Sequence, residues 1–388
     1  MPQSKSCRLL ALLLICLLIF PCIQVSANAL PNHEPPSVSA QSAILIEAES
    51  GNAVVEKNAD LPLPMASTTK IMTALTALSI AKPETEICVT SEAVGVEGSS
   101  IYLTEGEVLT LEQLLWALLL ESANDAAVAI AVGLCGSVEA FADEMNRVAI
   151  DMGLRQTHFT NPHGLDDPEH FTTARELAEI TRHAMENDLF RLIISTRKAS
   201  IPHAGTELTR LLINHNKLLR LYNGCIGVKT GYTKKSGRCL VSAAERDGVT
   251  MIAVTLNAPD DWNDHSRLLD YGFAAFESVT LCSEREFRIP LHLVGGTEGY
   301  VMLSNRDAIA RTLPSGHGKI MQTVEAPRFA FASIAEGEVL GRVVWRCDCN
   351  GDGYAERIAE TELVALYSVD RLRVRRTFWQ WICDLFGF

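Results

Sequence analysis

The chain has 388 residues, of which 47% are hydrophobic and 21% are charged. These are the proportions of an ordinary folded protein with room for one large domain and a smaller one, and they argue against disorder as the main state. The formal net charge of −13 argues against a nucleic-acid partner, because most of the surface would repel a polyanion.

The N-terminus has the pattern of a secretory signal. Lys5 and Arg8 precede an apolar run, residues 9–20, that is too short for a comfortable membrane span, and alanines flank Asn28 as at a cleavage site. We therefore predict a signal peptide over residues 1–29 and an exported protein at the extracytoplasmic face of the membrane. An uncleaved anchor is the alternative interpretation.

The cysteine content does not by itself indicate a metal centre. Of the 11 cysteines, three lie in the predicted signal peptide, which leaves eight. Export permits disulfides, but a protein of this size does not need them, so free buried thiols are expected. Cys347 and Cys349 alternate on a predicted strand with no histidine cluster beside them. We expect neither a metal nor another cofactor.

The first predicted elements lead into an apolar helix. Residues 30–42 are rich in proline and serine and predict a flexible linker. Residues 43–48 and 53–56 are typical of strands, and the Ser50-Gly51-Asn52 turn between them predicts an antiparallel hairpin. The run Leu61-Pro62-Leu63-Pro64 ends the hairpin, and the helix follows.

Ser67 and Lys70 stand three positions apart at the start of this helix, which places both side chains on one face. A serine hydroxyl becomes a good nucleophile when a neighbour removes its proton. A lysine can do so if burial and nearby positive charge lower its pKa. The pair is therefore a candidate nucleophile and base, and an N-cap serine with a solvated lysine is the alternative.

A second polar pair follows the apolar helix predicted over residues 111–120. Ser122 and Asn124 lie two positions apart before the next helix, residues 126–132. Such a pair points in one direction only where the backbone is extended or turning. In isolation, the segment can equally be an N-cap.

A third motif, Lys229-Thr230-Gly231, stands near the end of a predicted strand, residues 224–233. Glycine there lets another backbone or a ligand approach closely, although an ordinary exit from a strand has the same pattern. Two more strands, residues 240–244 and 251–256, and a helix over residues 261–276 complete this part of the chain.

Two loops contain metal-ligand residue types without a complete metal pattern. Residues 157–166 include two histidines but no His-x-x-x-His spacing on a helix. Residues 348–353 begin like a calcium loop, but the position of the closing acid is Ala359, and Glu360 comes one place late. We predict a hairpin turn there instead.

Short alternating stretches from about residue 281 predict a small all-β domain over residues 279–369. Arginines and then aromatic residues fill residues 370–388, which predicts an amphipathic helix on a membrane surface. A helix docked on the protein's own surface is the alternative.

Together, Ser67-x-x-Lys70, Ser122-x-Asn124 and Lys229-Thr230-Gly231 have the order found in penicillin-binding proteins and β-lactamases. At these residues the chain resembles the low-molecular-mass penicillin-binding proteins, the serine-type D-alanyl-D-alanine carboxypeptidases. The segment 161–166 and Tyr232 resemble that family too. Ala123 stands where many members have glycine.

The resemblance implies an α+β fold. It consists of a β-lactamase/DD-peptidase-like antiparallel sheet with flanking helices over residues 43–278, then the small all-β domain and the amphipathic C-terminal helix. The implied activity is removal of the terminal D-alanine from peptidoglycan stem pentapeptides during cell-wall biosynthesis and remodelling. β-Lactam antibiotics would be covalent inhibitors. The oligomeric state is left open.

The resemblance also implies roles for residues. Ser67 would attack the carbonyl between the two D-alanines, Lys70 would accept its proton, and Ser122 would relay a proton to the departing D-alanine. These roles lead us to expect the side chains of Ser122 and Lys229 within hydrogen-bond reach of Lys70.

Substrate binding would fall to a second set of residues. Asn124 would position the substrate amide and Lys70, while Lys229 and Thr230 would bind the terminal carboxylate. Gly231 would allow close approach, and the backbone N–H of Tyr232 would form an oxyanion hole with that of Ser67.

Three other functions remain open at this point. β-Lactamase activity would use the same acylating residues, but no Glu-x-x-Leu-Asn segment is present to resemble the class A deacylation base. A D,D-endopeptidase would need the same catalytic groups as a carboxypeptidase. A catalytically silent envelope-binding protein could keep the fold, although the intact motifs speak against it.

Overall fold

The computed structural model describes residues 34–203, 207–349, 351 and 353–373. The predicted signal peptide and most of the predicted C-terminal helix therefore lie outside the described residues. Within these ranges no single helix is long and apolar enough to cross a membrane, and one pair of helices, bent by 84°, passes that test only when taken together.

The larger domain is built on a five-stranded antiparallel sheet with the order β2-β1-β9-β8-β7. Its strands are β1 (Ser42–Glu47), β2 (Ala53–Lys57), β7 (Cys225–Thr233), β8 (Gly237–Arg246) and β9 (Val249–Leu256). Two small hairpins lie outside this sheet: β3 (Glu86–Cys88) with β4 (Val108–Thr110), and β5 (Lys198–Pro202) with β6 (Thr209–Ile213).

Helices cover both faces of this sheet, which follows from the alternation of side chains along its strands. Ile44 and Ile46 of β1 join one hydrophobic core, and Ala43 and Leu45 join another on the opposite face. The helices are α1 (Lys70–Ile80), α2 (Leu111–Trp116), α3 (Asn124–Cys135), α4 (Val138–Asp151), α5 (Ala174–Ala184), α6 (Asp188–Ser195), α7 (Leu218–Leu221) and α8 (Asp261–Ala275).

Local sequence signals explain where several helices begin. Thr110 caps α2 in a capping box with Gln113, and Thr173 and Asn187 cap α5 and α6 through their side chains. Each cap satisfies backbone N–H groups that lack a partner inside the helix.

The C-terminal part is all-β, as predicted. Six strands pair in the order β14-β16-β17-β12-β11-β15, and a separate pair joins β10 to β13. The strands are β10 (Phe276–Cys282), β11 (Ile289–Val294), β12 (Tyr300–Asn305), β13 (Ile309–Pro314), β14 (Ile320–Glu325), β15 (Phe329–Phe331), β16 (Val339–Cys347) and β17 (Glu356–Ala365). Trp345 is fully buried in the third hydrophobic core, which belongs to these strands.

The structure departs from the expected segments at three places. Residues 38–41 do not form a free linker, since Val38 and Ala40 are buried and the Ser39 hydroxyl donates to Asp264 at 2.7 Å. Strand β10 runs across the expected boundary at residue 278. Arg371 was expected in the helix but forms an isolated β-bridge with Gly296.

Candidate active site

Ser67 lies in a single 3₁₀ turn, Ala66–Thr69, directly before α1. Two threonine hydroxyls hold this turn, since Thr68 donates to the Met65 carbonyl at 2.6 Å and Thr69 to the Ala66 carbonyl at 2.7 Å. Ser67 itself is half-buried while its neighbours are buried. The turn therefore presents one hydroxyl from a rigid support.

Lys70 is fully buried and its ammonium nitrogen has three polar neighbours. Nζ lies 3.0 Å from Ser67 Oγ, 2.6 Å from Asn124 Oδ1 and 2.7 Å from the His163 carbonyl oxygen. Burial lowers the pKa of Lys70 well below its usual value, and the charge of Lys229 lowers that pKa further. A neutral amine next to a serine hydroxyl is the arrangement that a lysine base requires.

Asn124 is the first residue of α3, and its side chain is fixed from both ends. Oδ1 accepts from Lys70, while Nδ2 donates to the Glu97 carbonyl at 2.6 Å. The backbone N–H of Asn124 donates to Ser99 at 2.7 Å. The loop at residues 97–99 thus sets the orientation of the amide beside Lys70.

Ser122 stands where a π-helical turn, Ala117–Glu121, ends. Its backbone is left-handed, with φ 60° and ψ 31°, a conformation that costs energy for a residue with a Cβ atom. The side chain is buried, but among the described residues no hydrogen bond joins its hydroxyl to Lys70 or Lys229. The expected hydrogen bond between Ser122 and Lys70 is therefore absent from the described part of the chain.

Lys229 lies on β7, an edge strand of the five-stranded sheet, and is buried. Its Nζ donates to the Thr230 carbonyl at 2.9 Å. Burial lowers the pKa of Lys229 to about 7. No hydrogen bond between Lys229 and Lys70 is found within the described ranges, so Lys229 acts on Lys70 through its charge alone.

The end of β7 packs against the Ser67 turn. A Cβ atom on Gly231 would lie 3.0 Å from Ser67 N and 3.1 Å from the Met65 carbonyl oxygen. A Cβ atom there would be closer to its neighbours than Cβ atoms usually come, so glycine favours this close approach. Thr230 is half-buried and Tyr232 is exposed beside it. The fold thus brings Ser67, Lys70, Asn124 and the Lys229-Thr230-Gly231 strand to one place.

A family model described as D-alanyl-D-alanine carboxypeptidase, Peptidase S11, matches residues 29–260, which is more than half of the chain. The chain belongs to this family. Two D-alanyl-D-alanine carboxypeptidases are similar over 84% of the chain: DacF of Bacillus subtilis, at 29% identity and 85% of its own length, and DacC of Escherichia coli, at 31% identity and 84%.

Two solved structures agree with the assignment to the D-alanyl-D-alanine carboxypeptidase family. Penicillin-binding protein 5 from Haemophilus influenzae covers 87% of this chain and all of its own, with a TM-score of 0.63 at 27% identity. The Streptomyces K15 DD-transpeptidase covers 62% of this chain and all of its own, with a TM-score of 0.60 at 31% identity. The predicted family and the α+β fold with a later β domain are confirmed.

The carboxypeptidase site contains the loop of residues 161–165, which lies against Lys70. The Asn161 side chain folds residues 161–165 by accepting from Gly164 N at 2.7 Å and donating to the Leu165 carbonyl at 3.1 Å. This places the His163 carbonyl on Lys70. Burial lowers the pKa of His163 to about 3, so the ring is neutral. The Asn-Pro-x-Gly pattern predicts such a turn, but it does not predict that the turn contacts Lys70.

Two further residues near the site were missed. Asp125 is buried and accepts hydrogen bonds from Ser100 Oγ and the N–H groups of Ile101 and Leu103, and its charge opposes the lowering of the pKa of Lys70. His215 Nε2 lies 3.3 Å from a Glu121 carboxylate oxygen. The local sequence around Asp125 and His215 does not predict these distant partners.

Across the described residues, no group of three or more His, Cys, Asp or Glu side chains could hold a metal ion. The seven cysteines in those ranges are free thiols. The candidate calcium loop includes Asn350 and Asp352, which lie outside the described residues.

Proposed function

We propose that this chain is a serine-type D-alanyl-D-alanine carboxypeptidase that removes the terminal D-alanine from peptidoglycan stem pentapeptides through an acyl-enzyme on Ser67. The observation that carries the proposal is the 3.0 Å distance between Ser67 Oγ and Lys70 Nζ, because Lys70 is buried and its pKa is lowered. Family membership supplies the substrate class.

Acylation begins when neutral Lys70 takes the proton of the Ser67 hydroxyl. The oxygen then attacks the carbonyl carbon between the two D-alanines and forms a tetrahedral oxyanion. The backbone N–H groups of Ser67 and Tyr232 stabilise that oxyanion, and one such donor is worth about 3–4 kcal/mol in serine-protease chemistry.

The leaving group departs as a free amine. Ser122 passes a proton from Lys70 to the nitrogen of the departing D-alanine as the C–N bond breaks. Because no hydrogen bond joins Ser122 to Lys70 in the described residues, this relay requires a rotation of the Ser122 hydroxyl, or the substrate itself, to complete the path of the proton. Lys229 and Thr230 bind the terminal carboxylate, and Asn124 holds the substrate amide.

Water completes the cycle. It attacks the ester carbonyl, Lys70 again accepts a proton, and the Ser67 oxygen leaves and recovers its proton. Penicillin would acylate Ser67 by the same first step, with its ring amide in place of the D-alanyl bond.

Covalent labelling tests the nucleophile. Labelled penicillin should attach to the parent protein and not to Ser67→Ala, while Ser79→Ala, at the exposed far end of the same helix, should label normally. Equal labelling of Ser67→Ala would contradict the assignment.

Peptide products separate the alternative functions. Mass spectrometry of a stem pentapeptide should show the loss of one alanine. No change would favour the silent binding protein, cleavage of a cross-linked dimer would favour the endopeptidase, and rapid turnover of penicillin would favour the β-lactamase.

We further propose that the protein is exported and that residues 374–388 bind a membrane surface from the extracytoplasmic side. Peptidoglycan lies outside the membrane, and this segment combines arginines with tryptophan and phenylalanine. Vesicle flotation should be lost in a chain that ends at Arg373. Equal flotation of the two lengths, both without residues 1–29, would contradict the membrane role of this segment.

A further inference from the structure

One corner of the all-β domain exposes an aromatic face. Along β11 the side chains alternate, so that Leu291 and Leu293 are buried while His292 and Val294 face outward. This alternation is ordinary for a sheet with one solvent face. The neighbouring strands are unusual because they place large apolar side chains on the same outward face.

The register shows which side chains stand together. Phe329 of β15 and Tyr300 of β12 both pair with His292, from opposite sides, and Phe331 pairs with Val294. The two phenylalanine rings contact edge to face, with centroids 5.5 Å apart. Phe331 is 68% exposed and Phe329 is 49% exposed.

The end of the described chain lies beside this face. The N–H of Leu372 donates to the Gly295 carbonyl at 2.8 Å, one residue beyond Val294, and the Leu372 side chain is also exposed. We name these five side chains the edge patch: Val294, Tyr300, Phe329, Phe331 and Leu372.

The charges beside the edge patch suit an anionic surface. Arg328, Arg371 and Arg373 are exposed next to it in the chain, and Glu298 and Asp370 are the acidic residues nearest to it in the sequence. Beyond Arg373 the remaining 15 residues, 374–388, bring two more arginines and several aromatic residues. An aromatic face bordered by arginines is the composition found at membrane–water interfaces.

We propose that the edge patch is a second membrane contact, which lies on the anionic lipid surface together with residues 374–388. It rests on the proposed membrane role of that segment and adds a site on the folded domain. Because Leu372 belongs to the patch, any lipid contact of the following residues holds the patch at the same surface. Two weak contacts joined by so short a connection bind far more tightly than either alone.

The test uses vesicles of phosphatidylcholine with phosphatidylglycerol and the mature full-length chain. Phe329→Ser/Phe331→Ser should lower vesicle binding roughly tenfold, since two exposed rings are lost from the interface. The matched control is Met321→Ser/Val324→Ser, because those side chains are similarly exposed on β14 at the opposite edge of the same sheet. The control should bind as the parent does.

The vesicle binding of the two double variants decides whether the edge patch contacts lipid. Equal losses in the two double variants, or no loss in either, would overturn the proposal. Tighter binding by the edge-patch variant would also overturn it and would identify residues 374–388 as the segment that covers the patch. Phe331→Ser alone should show a smaller loss and guards against misfolding, as does penicillin labelling, which should be unchanged in every variant.

The chain ending at Arg373 separates this inference from the proposal on which it rests. If that chain floats as well as the full-length chain, residues 374–388 are not the anchor. The edge patch is then supported only if Phe329→Ser/Phe331→Ser abolishes the flotation of the shorter chain, and it is overturned otherwise.

Discussion

Two buried lysines in one site must hold different charges for the proposed chemistry. Lys70 has to be neutral to accept a proton, and Lys229 has to be charged to bind a carboxylate. Each is disfavoured as a cation by burial, and the charge of Lys229 further favours neutral Lys70. The carboxylate of the substrate raises the pKa of Lys229 again, because an anion beside Lys229 favours its charged form.

The pH dependence of acylation should report on Lys229. Because its pKa is about 7 in the free enzyme, the second-order rate constant for penicillin should fall as the pH rises through that value. Lys229→Arg keeps its charge, so it should lose this descending limb while acylating roughly tenfold more slowly at neutral pH. Lys235→Arg, at an exposed lysine beyond β7, should keep the parental profile. A descending limb that survives in Lys229→Arg would assign it to another group.

As the pH rises, the stability of the protein should increase while its rate of acylation falls. The pKa of Lys229 is lower in the folded state than in the unfolded state. Its contribution to the free energy of unfolding is therefore fully present above about pH 10.5 and is lost as the pH falls through about 7. Lys229→Met should therefore raise the free energy of unfolding at pH 6 by an amount on the order of a few kcal/mol, and by less at pH 9.

Urea denaturation of the parent and of Lys229→Met at the two pH values measures this difference. Penicillin labelling of the same variant should be lost. A variant that is less stable at pH 6 would show that the hydrogen bond to the Thr230 carbonyl outweighs the cost of burying the charge.

Among the structural elements, the 3₁₀ turn that carries Ser67 is held between two glycines from distant parts of the chain. Gly231 of β7 closes one side. On the other, a Cβ atom on Gly164 would lie 2.0 Å from the Ala66 carbonyl oxygen and 2.8 Å from Thr69 Oγ1. A methyl group on Gly164 would overlap the Ser67 turn and one on Gly231 would be in tight contact with it, so both glycines help to set the geometry of the nucleophile.

Gly164→Ala should therefore slow penicillin acylation by more than about tenfold, because either the loop or the Ser67 turn has to move. Gly153→Ala is the matched control: its φ of 77° resembles the 87° of Gly164, but no atom of the described residues lies within 4 Å of its Cβ position. In both variants the left-handed backbone of the new alanine should cost about 1–2 kcal/mol of stability. Only Gly164→Ala should also lose acylation. Similar acylation rates would show that the contact is not needed.

The elements around the site were predictable because their signals are local. The β1–β2 hairpin and the apolar helix at residues 111–120 follow from neighbouring residues, and the structure contains both. The motif order also identified the family, and that identification is confirmed.

The contacts between elements could not be predicted, because each joins segments far apart in the chain. Lys70 bonds the His163 carbonyl 93 positions away, and Ser39 bonds Asp264 across 225 positions. A linker composition at residues 30–42 says nothing about that second contact. The left-handed backbone of Ser122 was equally hidden, because it depends on a π-helical turn that no sequence period marks.

At the scale of the whole molecule, the domain that holds the catalytic residues and the all-β domain have separate hydrophobic cores. Among the described residues, the two cores that flank the five-stranded sheet contain none after Phe276, and the third begins at Leu281. Contacts between the domains include exposed polar ones, such as Glu49 with Arg311 at 3.1 Å and Thr312 N with Glu49 at 3.0 Å. Such surface pairs contribute little to stability.

A chain of residues 34–276 should therefore fold and react with penicillin within about threefold of the parental rate, because it keeps every described residue of both cores around the sheet. The Streptomyces K15 structure, which covers only 62% of this chain, is consistent with an independent domain. Ending the chain at Leu256 should instead prevent folding, since it removes α8, whose His265 bonds Thr255 at 2.8 Å beneath the sheet. Circular dichroism and penicillin labelling distinguish the two lengths. Loss of labelling in the 34–276 chain would mean that the all-β domain is needed to hold the catalytic residues in place.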